Sequence, residues 1–182
     1  MLGMVFTELV EWIESECSVE VAEQVLAEAG LGHGGAYTAV GSYDAAELGA
    51  IVQALVRRAG GSPQDWVQGF GRHLMHRFTQ LYPALFAAHP GLFDFLAGID
   101  GHIHVEVRRL YPQAQPPVFE VRERDLDHML LAYRSPHRLQ ALALGLLEGA
   151  IAHYGGHGRV AMRAQPPGGE DAVLFDVWMQ AR

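Results

Sequence analysis

The chain has 182 residues, 49% of them apolar and 19% charged, with a formal net charge of −8. That is one domain's worth of chain, too apolar for disorder and long enough to bury a core and still enclose a large ligand. The acidic balance and the lack of a Lys/Arg run argue against a nucleic-acid footprint and against anionic lipid, and a dianionic ligand would need donors placed for it locally.

From Leu2 to Ile13, Val5, Phe6, Leu9, Val10 and Ile13 recur at steps that include three and four, which predicts an amphipathic helix. Glu8, Glu11, Glu14 and Glu16 stand where a secretion signal would have a basic end and an unbroken apolar stretch. No segment approaches the roughly 18 apolar residues of a membrane span. The lone cysteine, Cys17, excludes an internal disulfide and a Cys-rich zinc site. A soluble, cytoplasmic protein is expected.

Ser18 is placed to cap a second helix, Val19 to Ala29, which runs into a glycine-rich break. A third helix is predicted from Ala45 to Ala59, before Gly60-Gly61. Ser62-Pro63 then starts a fourth, from Pro63 to about Phe78. Pro83 and Pro90 bracket a short helical turn. A long helix is expected from Leu92 to Tyr111, ended by Pro112, Pro116 and Pro117.

The period then changes. Val118 to Val121 and His128 to Tyr133 read as strands around an Asp125-Leu126-Asp127 turn. Ser135-Pro136 opens a helix from His137 to Tyr154. Arg159 to Ala164 and Val173 to Met179 read as two further strands around Pro166-Pro167-Gly168-Gly169. The expected architecture is α+β, a single domain over residues 1–182. Residues 1–90 are mainly helical, and 91–182 combine helices with a four-stranded antiparallel sheet in two hairpins.

Among ten histidines, those in Gly101-His102-Ile103-His104 stand out. On a helix His102 and His104 point about 200° apart, so one is expected to be buried and the other exposed. A chelating pair wants i, i+4 spacing, so this is not a two-histidine clamp. Gly101, three residues before His104, leaves room for a flat ligand. Taken alone, such a histidine is more often a satisfied core residue than a ligand.

The second constellation is Tyr133-Arg134-Ser135-Pro136-His137-Arg138. Two hydroxyls, free N–H groups at a helix start and a basic side chain would make a carboxylate site. The plainer reading of these six residues is a helix cap beside a core tyrosine.

Together the two segments resemble one family. Gly98 to Pro117 (GIDGHIHVEVRRLYPQAQPP) resembles the proximal helix and following proline loop of H-NOX (haem nitric oxide/oxygen binding) domains. Tyr133 to Gly149 (YRSPHRLQALALGLLEG) resembles the family's Tyr-x-Ser-x-Arg motif and the Leu-Gly-Leu-x-x-Gly helix after it. The N-terminal MLGMVF and the run Val67 to Pro83 are similar too, so the resemblance covers nearly the whole chain in order.

The resemblance implies haem b (iron protoporphyrin IX) between a helical distal subdomain and an α/β proximal one. It implies His104 as iron ligand, Tyr133 and Ser135 on the propionates, and Pro117 against the porphyrin. Val5, Leu9, Leu74, Phe78, Leu142 and Leu146 would line the distal pocket. Oxygen-binding members carry a tyrosine where this chain has Leu142. An all-apolar pocket therefore implies binding of nitric oxide and carbon monoxide with exclusion of oxygen. Nitric oxide bound trans to His104 would weaken the bond to that histidine and release its helix.

The chain departs from the family motif at His137, where an arginine is usual, although Arg138 follows. Histidine offers the carboxylate at most one donor and is charged only when protonated, whereas arginine offers a permanent fork. Haem retention is expected to be weaker or pH-dependent. If helical, Arg138 would be rotated about 100° away from that position. His73 and His76 lie on the helix of Leu74 and Phe78 but point off that face, and Cys17 sits among glutamates that disfavour a thiolate.

The chain is expected to act as a sensor rather than an enzyme. With no room for an output domain, it is expected to signal to a separate histidine kinase or cyclic-di-GMP enzyme. A haem carrier and a haem-free interaction domain of the same fold are the alternatives.

Overall fold

The computed structural model describes residues 1–163 and 171–179. The helices begin where the start signals stand. α1 is Gly3–Glu16 and α2 is Val19–Glu28. The Ser18 side chain accepts a hydrogen bond from the Val21 N–H and so caps α2. α3 is Ala46–Ala59. α4 is Pro63–Leu81, with Pro63 in its first turn and the Ser62 hydroxyl accepting from the Asp65 N–H. α5 is Pro83–Ala87.

The expected long helix is not continuous. α6, Leu92–Gly98, passes into a π turn, Ile99–Ile103, before α7, His104–Leu110, resumes. The His104 N–H reaches back five residues to the Ile99 carbonyl. One extra residue is thus looped into the helix immediately before His104. Apolar periodicity carries no mark of such an insertion.

β1 (Val118–Arg124) is longer than expected, because a bulge between Val121 and Glu123 lets pairing continue through a charged run. β2 is His128–Arg134, α8 is Gln140–His153, β3 is Gly158–Arg163 and β4 is Val173–Met179. The sheet order is β1-β2-β4-β3, antiparallel throughout, so the two hairpins join through β2 and β4. Ala164 and Pro166-Pro167-Gly168-Gly169 lie outside the described residues.

α8 begins at Gln140, three residues later than expected. Arg138 adopts φ 50, a left-handed conformation that is uncommon for a residue with a side chain and cannot continue a right-handed helix. Residues 135–139 therefore form a turn between β2 and α8.

Two apolar cores form. One holds Phe6, Leu9, Ile13, Val25, Ile51, Leu55, Phe70 and Leu74. The other holds Phe95, Leu96, Met129, Leu131, Tyr133, Leu147, Phe175 and Val177. α4 and α8 contribute to both, and they approach closely at glycines. A Cβ on Gly145 would stand 2.0 Å from the Gln68 carbonyl oxygen, and one on Gly71 would stand 2.5 Å from that of Leu142. Gly145 of the Leu-Gly-Leu-x-x-Gly run is thus there for contact between backbones, and a Cβ on Gly149 would meet the Met75 side chain at 2.7 Å. Glu148 fastens the seam, accepting from Gln68 Nε2 at 2.8 Å and from Arg72 Nη1 at 2.7 Å.

Candidate functional site

His104 opens α7 with its side chain only 14% exposed. Its Nδ1 lies 3.1 Å from Asp100 Oδ1, one turn back across the π turn. An ionised carboxylate only accepts, so the proton sits on Nδ1. The Pro117 carbonyl is a second acceptor beside the ring. Burial pushes the His104 pKa below the ordinary histidine value, and Asp100 offsets part of that shift. In the neutral ring that burial favours, Nε2 carries the lone pair.

A file of aromatic rings leads away from it. The Phe119 ring is 6.3 Å from His104 and 5.1 Å from Tyr133, centre to centre. Tyr133 on β2 is 4% exposed, and burial pushes its pKa up. Its phenol oxygen meets the Ser135 hydroxyl and the Leu139 main-chain N–H. Ser135 Oγ in turn accepts from the His137 N–H at 3.2 Å. Both backbone N–H groups are thus given to the hydroxyl oxygens, which leaves hydroxyl protons as the donors the turn can offer to carboxylate oxygens.

His137 and Arg138 are exposed. Both line a groove of about 440 Å³, together with Leu48 and Val52 on α3 and Pro63 and Val67 on α4. The rotation expected between them on a helix does not apply, because both precede α8.

The six apolar residues expected on the other side converge. Leu9, Leu74 and Leu142 are buried in the N-terminal core, and Val5, Phe78 and Leu146 pack against it. Phe78 and Leu146 also pack against the second core, so this wall lies at the junction of the two.

Residues 2–161 match the family model described as Haem-NO-binding. The chain belongs to the H-NOX family.

Solved H-NOX structures share its fold over its whole length. One from Shewanella woodyi, in the Fe(II)CO state with IWP-051 bound, is 33% identical, with a TM-score of 0.85, covering 100% of this chain and 96% of that one. The Fe(II) unliganded A71G mutant from K. algicida is 28% identical at a TM-score of 0.88, covering 100% and 97%. The S. oneidensis protein in the Fe(II)NO state is 26% identical at 0.87, covering all of both chains. No curated protein sequence matches the chain.

Other H-NOX residues singled out from sequence lie off the site. His73 packs against the Trp12 ring, 6.3 Å between centres, with its Nε2 3.7 Å from Glu8 Oε2. His76 is exposed and bonds Gln80. Burial, reinforced by Glu16, pushes the Cys17 thiol pKa up, away from the reactive thiolate. Sequence reasoning missed Asp100 and Phe119. The Asp100–His104 spacing of four was visible as a helical pair, whereas Phe119 reaches the site only through strand pairing. It also missed that Glu8, 6% exposed, pairs with Arg77 (Nε to Oε2 2.6 Å, Nη2 to Oε1 3.2 Å), tying α1 to α4 behind the apolar wall.

Proposed function

We propose that this chain is a haem-based gas sensor. It binds nitric oxide and carbon monoxide at ferrous haem b, leaves oxygen unbound, and reports to a separate signalling protein. The observation that carries this reading is the presence, within one H-NOX fold, of two unlike surfaces. One presents a single neutral imidazole whose other nitrogen is held by a carboxylate. The other is the wall of Val5, Leu9, Leu74, Phe78, Leu142 and Leu146, which has no side-chain donor.

The residues fit a haem. His104 Nε2 is free to ligate, because Asp100 secures Nδ1, and such a carboxylate–histidine pair fixes the ring and raises its basicity. Tyr133 and Ser135 supply hydroxyls for the propionates, and Pro117 stands beside His104 to press on the porphyrin. Bound haem supplies the iron to which a diatomic gas adds.

The apolar wall sets the selectivity. Dioxygen depends on a hydrogen-bond donor beside it, and nitric oxide and carbon monoxide depend on one far less. The same wall offers no acid or base for turnover, which favours a sensor over an enzyme. The His104 segment is the element that would move. It runs through Gly98, the π turn and α7, and α7 buries none of its residues. Displacement of His104 would carry α7 with it and present a changed surface to a partner. A histidine kinase or a cyclic-di-GMP enzyme is the expected class.

One observation favours a second reading, a haem carrier. His137 and Arg138 are both exposed, so neither is a buried cation that would hold the ligand's carboxylates. Rapid haem transfer to an acceptor globin would support the carrier.

The test is an absorption spectrum of the reduced protein under nitrogen, then with nitric oxide, carbon monoxide and air. The expected result is five-coordinate ferrous haem that responds to the first two gases, forms no stable oxygen complex, and is lost in His104→Ala. A stable oxygen complex would overturn the selectivity, and no haem band after reconstitution would overturn the sensor.

A further inference from the structure

We infer that His89 and His102 form a second metal site, open to solvent and taking a divalent transition-metal ion, with Cu(II) preferred. His89 follows α5, and its Nδ1 lies 2.9 Å from the Leu85 carbonyl oxygen. A carbonyl only accepts, so the proton is on Nδ1 and the lone pair on Nε2, the tautomer that metal-bound histidines commonly adopt. That Nε2 points at Gly98, where an added Cβ would sit 2.6 Å from it. The same point is 3.5 Å from His102 Nδ1. The two rings lie 6.1 Å apart, centre to centre.

Two ring nitrogens from separate elements thus lie on the same face of Gly98, with no side chain there to stand between them. His102 is exposed, so its ring can turn to take up an imidazole–metal bond of about 2.0–2.1 Å. Among the described residues no third His, Cys, Asp or Glu joins them, so water completes the shell. Two imidazoles plus water give a modest site that follows the general order of divalent affinity, in which copper stands highest.

The location gives the site a consequence. The ion would bridge the end of α5 to the π turn, two residues before His104. An occupied site restrains the segment that the haem ligand rides on.

The test is a competition titration of tag-free, haem-loaded, full-length protein with Cu(II) against a chromogenic chelator, with electron paramagnetic resonance of the copper. One equivalent with two nitrogen ligands is expected. His102→Gln and His89→Gln should each weaken it at least tenfold, and His157→Gln should leave it unchanged. Absence of a stoichiometric site, or affinity unchanged in His102→Gln, overturns the assignment. His102 is exposed, so that variant keeps the test decisive even if His89→Gln fails to fold. Copper binding is read without any gas, so its failure leaves the sensor reading standing.

Discussion

The two sides of the site are built on opposite plans, and glycine marks the difference. On the distal side Gly71 and Gly145 let α4 and α8 touch backbone to backbone, with no space for even a methyl group. On the proximal side Gly101 lies in the π turn, and a Cβ there would meet nothing within 4 Å. One side is a closed seam that fixes the apolar wall. The other is a turn with open space around its glycine. The proposed sensor would need both, because a displacement is informative only against a part that stays still.

The comparison is broken most severely by Gly145→Ala. Its methyl group would collide with the Gln68 carbonyl, and overpacking of this kind costs about 1–3 kcal/mol, with backbone collisions at or beyond the upper end. Chemical denaturation should show a loss of about 3 kcal/mol. A variant as stable as the parent would mean that the seam is not rigid.

Tyr133→Phe comes next. It leaves the half-buried Leu139 and Ser135 without the phenol oxygen, at about 1 kcal/mol for a lost hydrogen bond. Haem should also leave faster. An unchanged haem off-rate would remove Tyr133 from the propionate site.

Acid separates the two sides less strongly. Burial holds the His104 pKa below the histidine norm, so the unfolded chain binds a proton more readily than the native one. The stability His104 contributes is complete above the ordinary histidine pKa. It is lost as pH falls through that value toward the depressed one. Melting temperatures of haem-free protein between pH 8 and pH 5 should show this slope, and His104→Gln should flatten it. An equal slope in the variant would assign the acid sensitivity elsewhere.

The smallest effect should come from Gly101→Ala, and with the opposite sign to Gly145→Ala. Space is open, so replacing glycine in a helical segment should add about 0.5–1 kcal/mol. A lower melting temperature would show that the π turn needs glycine's backbone freedom.

Much of the fold was legible because its signals are local. Ser18 and Ser62-Pro63 place helix starts by satisfying end N–H groups, and those caps are present. The final strand, Val173–Met179, matches its reading residue for residue. The misplacements fall where a local rule was overridden. Arg138 turns left-handed and delays α8, and the π turn interrupts a helix whose apolar spacing gave no warning. Both lie against the candidate site, where a chain most often departs from its regular pattern.

The sequence by itself determined the family and the order of elements, and it put forward His104, Tyr133 and Ser135 as candidates, because motif spacing survives without coordinates. Only the tertiary structure decided that Asp100 holds the His104 ring, that Phe119 links it to Tyr133, and that His137 and Arg138 face an outer groove. Only there, too, do His89 and His102 meet over Gly98. These are meetings between residues on different elements, set by packing and backbone winding, which periodicity along the chain does not encode.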